Sequence, residues 1–308
     1  MEFHVAGVTV APWIPPLVAF AISFITSTGG VSGAFLLLPF QVSVLGYTAP
    51  SVSATNHLFN VVAIPTGVWR YVREGRMVWP LAWVVVAATL PGVLAGAVVR
   101  VRYLPDPASF KLFAAGVLLF IGVRMVADLR ASRAGGRPKQ AAEERFQRLV
   151  AAHGRRAEAA GEALPTVRVR HVSPRRIEYE FYGEVFSFST LGIFALAFVV
   201  GVAGGIYGIG GGAIMAPFFV SVFGLPIYTV AGAALLGTLV TSIAGVAFYA
   251  WLGVGPDWLL GLLFGVGGAA GMYCGARVQK HVPARAIKVM LCCVILATAA
   301  KYVVEFVR

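Results

Sequence analysis

Two long stretches of this chain contain no charged residue, and they constrain its fold more than any other feature. Between Glu2 and Arg70 there are 67 consecutive residues without Lys, Arg, Asp or Glu, and between Glu184 and Asp257 there are 72. Because about 20 apolar residues cross a bilayer as a helix, each stretch is long enough for about three passes. Only 12% of the residues are charged, against about 25% in soluble domains. The sequence therefore predicts an all-α, polytopic membrane protein and excludes a soluble globule.

A weak internal repeat divides the chain. A shift of 178 residues superposes six positions in order: Pro39 on Pro217, Gly46 on Gly224, Gly67 on Gly245, Tyr71 on Tyr249, Gly75 on Gly253 and Pro105 on Pro283. We therefore predict a first membrane repeat at 1–128, a basic loop at 129–186 and a second membrane repeat at 187–308.

Each repeat contains five predicted helical segments. They lie near 13–27, 32–46, 51–71, 78–100 and 108–127, and near 188–204, 211–224, 228–250, 258–277 and 284–305. A segment of about 15 residues spans only about 22 Å of a hydrocarbon core about 30 Å thick. The first two segments of each repeat are therefore predicted to be broken or re-entrant helices. An odd number of crossings per repeat makes the two repeats inverted relative to each other.

The distribution of basic residues predicts the orientation. Twelve of the 25 Lys and Arg residues lie between Arg130 and Arg176. The positive-inside rule places this loop in the cytoplasm and both termini outside, in the cytoplasmic (inner) membrane. The net charge of +12 then indicates contact with anionic lipid, and nucleic acid is not a predicted partner.

Two structured parts are predicted within this loop. Residues 140–163 have the composition of an exposed helix, and period-two alternation over 167–181 predicts a hairpin. In that hairpin Arg168 and Arg170 are expected to face Glu178 and Glu180 across the strands. A solvated linker and a regulatory or partner-binding segment both remain open.

The most specific motif is a glycine-rich break that recurs in both repeats, as Gly29-Gly30-Val31-Ser32-Gly33 and as Gly208-Ile209-Gly210-Gly211-Gly212. Irregular backbone at membrane depth is tolerated only where it is buried in protein or lines a polar cavity. Free N–H groups and the positive end of the following helix can hold an anion there. Close helix packing through small residues is the alternative. The predicted substrate-binding residues of the breaks are Thr28, Gly29, Gly30, Ser32, Gly33, Tyr207, Gly208, Gly210, Gly211 and Gly212.

The third segment of each repeat carries further polar residues inside the apolar stretch. Asn56 and Asn60 lie one helical turn apart, and the second repeat offers Thr238, Thr241 and Ser242. These neutral donors would suit an anion whose charge is spread over several oxygens, and we add all five to the predicted substrate-binding residues. Hydrogen bonding between helices is the alternative role.

His57 is the only histidine deep in an apolar segment, and no Asp or Glu lies in the middle of any segment. His57 is therefore the candidate for proton coupling. The alternatives are a structural donor role for His57, transport without coupling, and coupling through protonation of the substrate itself. No nucleophile with a base, paired carboxylates, metal-ligand spacing or cofactor motif occurs in the predicted spans. We predict no enzyme activity, no metal and no cofactor.

The break at 208–212, followed by an apolar run and Pro217, resembles the TauE/SafE sulfite exporter family, also called the toluene-sulfonate uptake permeases, as does the weaker copy that ends at Pro39. The resemblance implies a secondary transporter of small sulfur-containing anions, such as sulfite or organosulfonates, that works by alternating access. Export is the expected direction; an anion channel and an importer of thiosulfate or sulfide are the alternatives. The first break departs from the family pattern by having fewer glycines. A small anionic substrate and membrane lipid are the expected partners, and a homo-oligomer stays open.

Overall fold

A computed structural model describes residues 1–28, 32–133, 166–215, 218–219, 222–278 and 284–307. The predicted loop helix at 140–163 lies outside the described residues. The helices are α1 (Ile14–Thr28), α2 (Ala34–Ser43), α3 (Ser51–Ala63), α4 (Pro65–Arg73), α5 (Trp79–Arg102), α6 (Pro107–Arg133), α7 (Thr190–Tyr207), α8 (Ile227–Trp251), α9 (Trp258–Val278) and α10 (Ala284–Val307). Residues 215, 218 and 219, within the predicted segment at 211–224, are also helical.

The described part of the chain contains five helices that are long and apolar enough to cross a membrane. They cover 79–102, 107–127, 190–207, 229–251 and 258–275, while 14–26 and 34–43 are shorter apolar helices. The prediction of an all-α, polytopic membrane protein is confirmed, and the first two helices of the first repeat are short as expected. The first helix of the second repeat differs from the prediction, because α7 continues to Tyr207 and is long enough to cross a membrane.

The predicted single helix at 51–71 is wrong, because the structure divides it at Ile64. Pro65 has no N–H to donate to the carbonyl four residues earlier, and its ring disfavours a continuous helix. Pro65 instead occupies the first turn of α4, where its missing donor would be unpaired in any case. The amides of Gly67 and Val68 donate to the Ile64 carbonyl at 2.9 and 3.1 Å. The chain therefore bends here without leaving these backbone groups unpaired.

The helices pair reciprocally across the two repeats. The first helix of each repeat packs along the helix that corresponds to the fourth predicted segment of the other repeat, so that α1 lies on α9 and α7 lies on α5. Both pairs run parallel and approach through glycine: a Cβ on Gly271 would overlap the Phe20 carbonyl, and one on Gly205 would overlap the Val93 carbonyl. Small residues permit such close backbone contact in membrane proteins.

Corresponding helices of the two repeats, in contrast, run antiparallel. Helices α6 and α10 place Lys111 beside Glu305 at 2.7 Å, and the Cys292 sulfur lies 3.7 Å from the Gly122 carbonyl at the other end of the pair. Helices α3 and α8 also cross in opposite directions. This arrangement is the one that an inverted duplication predicts.

Two small antiparallel sheets accompany the helices. The first pairs β1 (Glu2–Phe3) with β2 (Val8–Thr9), and the second has the order β3 (Arg168–Val172), β4 (Arg176–Phe181) and β5 (Glu184–Ser189). Strands β3 and β4 correspond to the predicted hairpin. Strands β1, β2 and β5 were not predicted.

The charge pairing within the hairpin differs in part from the expectation. Arg170 forms the expected ion pair with Glu180 at 2.7 Å. Glu178, however, pairs with Arg176 of its own strand at 3.1 Å. A register shift after Val169 places Glu178 opposite His171, so Arg168 does not reach it.

The three-stranded sheet packs against both repeats. Its inner face buries Ile177, Tyr179, Phe181 and Phe188. The Tyr179 hydroxyl lies 2.8 Å from the hydroxyl of Thr229 in the first turn of α8. The Val167 amide donates at 2.9 Å to the carbonyl of Gly75, which lies in the connection between α4 and α5. The sheet therefore marks the end of the bundle where α5 and α8 begin.

Candidate anion-binding site between the repeats

The second glycine-rich break reverses the chain inside the protein. Helix α7 ends at Tyr207, and both Gly208 (φ +79°) and Gly210 (φ +74°) adopt the left-handed conformation. The amides of Gly208 and Ile209 donate to the Gly204 carbonyl at 2.8 and 3.0 Å. Gly210 then lies against Gly204, one turn back along α7. Left-handed backbone of this kind is accessible to glycine at little cost, which explains the sequence of the turn.

Close packing explains why the break lacks side chains. A Cβ on Gly208 would overlap the backbone of Ser53, one on Gly211 would overlap Thr89, and one on Gly212 would overlap the Ala234 carbonyl. These glycines therefore do permit close helix packing, which was the alternative role considered for them. Packing does not use the amides of Gly210 and Gly212, which have no hydrogen-bond acceptor among the described residues.

Asn60 joins the second break to the first repeat. The Ser32 hydroxyl donates to Asn60 Oδ1 at 3.0 Å. Asn60 Nδ2 donates to the Ile209 carbonyl at 3.0 Å and to the Ser242 hydroxyl at 3.3 Å. Because Asn60 and Ser242 are fully buried, this set of bonds forms a polar cluster in the interior, between α3, α8 and the break.

His57 extends the same cluster by one helical turn. Its Nδ1 lies 3.3 Å from the Ser242 hydroxyl. Its Nε2 is buried and has no partner among the described residues. A Cβ on Gly245 would lie 2.9 Å from Nε2 and from the adjacent ring carbon, so glycine makes room for the ring. A buried polar atom without a partner is costly, so the environment of this nitrogen is not explained by packing alone.

The predicted threonines of α8 line the break from its other side. Thr241 accepts a hydrogen bond from the Gly211 amide at 3.2 Å and donates to the Gly237 carbonyl at 2.6 Å. Thr238 donates to the Ala234 carbonyl at 2.9 Å and meets the backbone of Gly210. Both side chains are fully buried.

Two predicted residues have partners outside this cluster. Asn56 donates to the Ala34 carbonyl at 2.9 Å and accepts from Gln41 Nε2 at 3.3 Å, so it fixes the start of α2. The Tyr207 hydroxyl donates to the Phe35 carbonyl at 3.0 Å. Both therefore tie α2 to its neighbours, and Asn56 and Asn60 do not share a partner although they lie on one helix face.

The first break is described in part. Gly29, Gly30 and the Thr28 side chain lie outside the described residues. Gly33 packs closely on α1, where a Cβ would lie 2.9 Å from the Ser23 hydroxyl oxygen. That hydroxyl is buried and has no partner among the described residues. The part of the first break that the structure describes therefore also faces an unpaired polar atom.

Sequence reasoning missed several buried groups around the cluster. Ser53 donates to the Ile206 carbonyl and Tyr249 to the Gly205 carbonyl, each at 2.9 Å, and Thr89 packs on Gly211. Ser53 lies one turn before His57, which is a signal that could have identified it. Arg100, the last residue of the predicted segment at 78–100, is also fully buried.

The cluster is uncharged and lies between elements of both repeats. Among the described residues, none of its hydrogen bonds involves Lys, Arg, Asp or Glu, and no group of three potential metal ligands occurs. It offers amide, hydroxyl and imidazole groups, which can bind a small anion without holding it through a fixed opposite charge.

Comparison with known proteins agrees with this arrangement. The family model described as sulfite exporter TauE/SafE matches residues 16–302 of the chain. No curated protein and no solved structure matches the chain. Because the family match spans both repeats and the loop between them, the chain belongs to the sulfite exporter TauE/SafE family.

Proposed function

We propose that this protein is a secondary transporter that carries small sulfur-containing anions, such as sulfite or an organosulfonate, out of the cell across the cytoplasmic membrane. Membership of the TauE/SafE family supports transport of such anions. The observation that carries the proposal is the pair of amides at Gly210 and Gly212, which have no acceptor among the described residues. A Cβ on Gly210 would lie 2.9 Å from the buried hydroxyl oxygen of Ser242. Amides and hydroxyls are the donors that bind oxyanions at broken helices.

Among the described residues, the hydrogen bonds of the cluster involve no charged side chain, and this sets the expected selectivity. Each charge that an anion carries must be desolvated and matched by positive potential. Backbone amides and hydroxyls supply only partial charges. The site should therefore prefer a monoanion to a dianion of similar size, and release it readily because no salt bridge has to break.

The position of the cluster suits alternating access. Asn60 of the first repeat contacts Ile209 and Ser242 of the second, so a movement of one repeat against the other would change the contacts around the anion. Transporters with inverted repeats place their substrate at such an interface. An anion channel remains the second candidate, because broken helices also build selectivity filters.

His57 is the candidate for coupling transport to protons. Its unpaired Nε2 lies in the cluster, next to the hydroxyl that Asn60 also contacts. Protonation of His57 would add a positive charge beside the anion and strengthen its binding. The alternatives are transport without coupling and coupling through protonation of the substrate itself; in both, the neutral ring only holds Ser242.

Counterflow in proteoliposomes tests this function. Vesicles containing the purified protein are loaded with unlabelled sulfite or methanesulfonate, and uptake of the radiolabelled anion is followed with and without a pH gradient. A transporter accumulates label transiently because loaded anion accelerates exchange, whereas a channel only dissipates the gradient. Empty vesicles and the Thr298→Ala variant, altered at an exposed hydroxyl on α10, are the controls. Saturable flux without acceleration by internal anion would favour the channel, and no flux of either anion would contradict the proposed substrates.

A further inference from the structure

Arg100 is a buried cation at the far end of α5. Its Nη2 donates to the carbonyl of Thr48 at 2.9 Å, and its Nη1 donates to the carbonyl of Leu104. The guanidinium carbon lies 3.7 Å from the centre of the Phe110 ring. The α2–α3 connection, the turn after α5 and helix α6 therefore enclose this side chain completely.

The guanidinium of Arg100 is only partly satisfied. It carries five N–H donors, and only two of them have protein acceptors; Nε has none among the described residues. None of the ion pairs in the described part of the chain includes Arg100. A buried charge normally requires an opposite charge and further hydrogen bonds. The described residues thus do not supply the counter-ion that the burial of Arg100 calls for.

The nearby acidic groups are engaged elsewhere. Asp106, in the turn after α5, accepts from the Ser109 amide at 2.9 Å, and this bond lowers the pKa of Asp106. The Asp257 carboxylate accepts from the amides of Leu260 and Ala6 at 3.0 and 3.2 Å. Neither carboxylate pairs with Arg100, so the missing counter-ion is not supplied by these residues.

Arg100 lies on the face of α5 that packs against α7 and the glycine-rich break. Thr89 packs on Gly211, and Gly96 packs on the backbone at Ile206. Arg100 follows one turn after Gly96. It lies about 16 Å along the helix axis from Thr89, at about 1.5 Å per residue. Because α5 begins beside the sheet, Arg100 is at the opposite end of the bundle, which is the outer end in the predicted orientation.

We propose that Arg100 is a second anion-binding position, through which the anion passes between the outer solution and the amides of Gly210 and Gly212. This inference rests on the proposed function. The planar guanidinium presents parallel donors that match two oxygens of a sulfite or sulfonate group. The anion would take the place of the missing counter-ion. For it to reach the outer solution, the turn after α5 has to move away from the guanidinium.

Three variants test this position. Arg100→Gln removes the charge, Arg100→Lys keeps the charge without the planar fork, and Arg102→Gln removes an exposed charge from the same helical turn. The half-saturating concentration and the maximal rate of sulfite flux are measured in proteoliposomes. Stabilisation of the detergent-solubilised protein by sulfite is measured separately from the shift of its unfolding temperature.

We expect Arg100→Gln to raise the half-saturating concentration by about tenfold or more, as for loss of a hydrogen bond to a charged group, with a much smaller change in maximal rate. Arg100→Lys should lie between Arg100→Gln and the wild type, and Arg102→Gln should match the wild type. An unchanged half-saturating concentration in Arg100→Gln would overturn the inference. If that variant does not fold, an unchanged value in Arg100→Lys overturns it.

The unfolding measurement separates this inference from the proposed function. A wild-type protein that sulfite stabilises but that does not transport sulfite would refute the transport function alone. In that case a smaller stabilisation of Arg100→Gln supports the binding position, and an equal stabilisation overturns it. Absence of both flux and stabilisation in the wild type would overturn both.

Discussion

Replacement of Asn60 by alanine is the sharpest test of the contact between the two repeats. The substitution removes the acceptor of the Ser32 hydroxyl and the donor to the Ile209 carbonyl and the Ser242 hydroxyl. Ser32 keeps its contact with the Ala34 amide at 3.3 Å, whereas the described structure offers the Ile209 carbonyl no other donor. The Asn60 side chain, from α3, therefore links the first break, the second break and α8.

The expected cost follows from the number of bonds. Hydrogen bonds between membrane helices contribute about 0.6 kcal/mol each on average, with a maximum near 1.7 kcal/mol. Three such bonds give a loss of about 2 kcal/mol in the free energy of unfolding. This loss corresponds to about a 30-fold change in the unfolding equilibrium.

Reversible unfolding in mixed micelles, followed by circular dichroism during titration with a denaturing detergent, measures this change. The matched control is Thr298→Ala, which removes an exposed hydroxyl that donates to the Val294 carbonyl at 2.8 Å and should change stability by less than about 0.5 kcal/mol. If Asn60→Ala costs no more than this control, the cluster does not hold the repeats together and the argument for a site at their interface fails.

Three further predictions address the packing of the His57 ring, the orientation of the chain in the membrane and the coupling of transport to protons. Gly245→Ala places a Cβ 2.9 Å from the His57 ring and should destabilise the protein by about 1–3 kcal/mol and reduce sulfite flux. The control Gly255→Ala, whose nearest contact is 3.7 Å away, should change neither stability nor flux. Equal effects of the two substitutions would show that Gly245 is not needed to make room for the ring. In sealed cells, single cysteines at Ala49 and Gly255 should react with an impermeant reagent and one at Arg73 should not, whereas labelling of all three from outside would contradict the inverted orientation. His57→Gln should still bind sulfite but lose any dependence of flux on a pH gradient; pH-driven flux at the wild-type level would exclude His57 from coupling.

Several features of the fold could be predicted because they depend on local composition. Uncharged stretches of sufficient length predict the membrane helices, and the recurrence of Gly67 and Tyr71 at Gly245 and Tyr249 indicates the duplication. The break at Pro65 was missed because the apolar pattern continues through it. Strand β5 was missed because the predicted hairpin ended at 181 and the predicted helix began at 188, near the start of the uncharged stretch.

The partners of the site residues could not be predicted, because they depend on which elements meet in space. Asn56 and Asn60 share a helix face, yet Asn56 donates a hydrogen bond to α2 and Asn60 donates one to the break at Ile209. Arg100 is the last residue of the predicted segment at 78–100, and the local sequence does not show that it is buried. It is buried because the turn after α5 and Phe110 of α6 fold over it.

The location of a bound anion tests the central claim most directly. Selenite is chemically close to sulfite, and its selenium atom scatters X-rays anomalously, so crystals grown with selenite would reveal its position without interpretation of weak density. The account predicts a selenium peak within hydrogen-bonding reach of the Gly210 and Gly212 amides and the Ser242 hydroxyl. A peak only at a distant position, or no peak at a selenite concentration that inhibits sulfite flux, would contradict it.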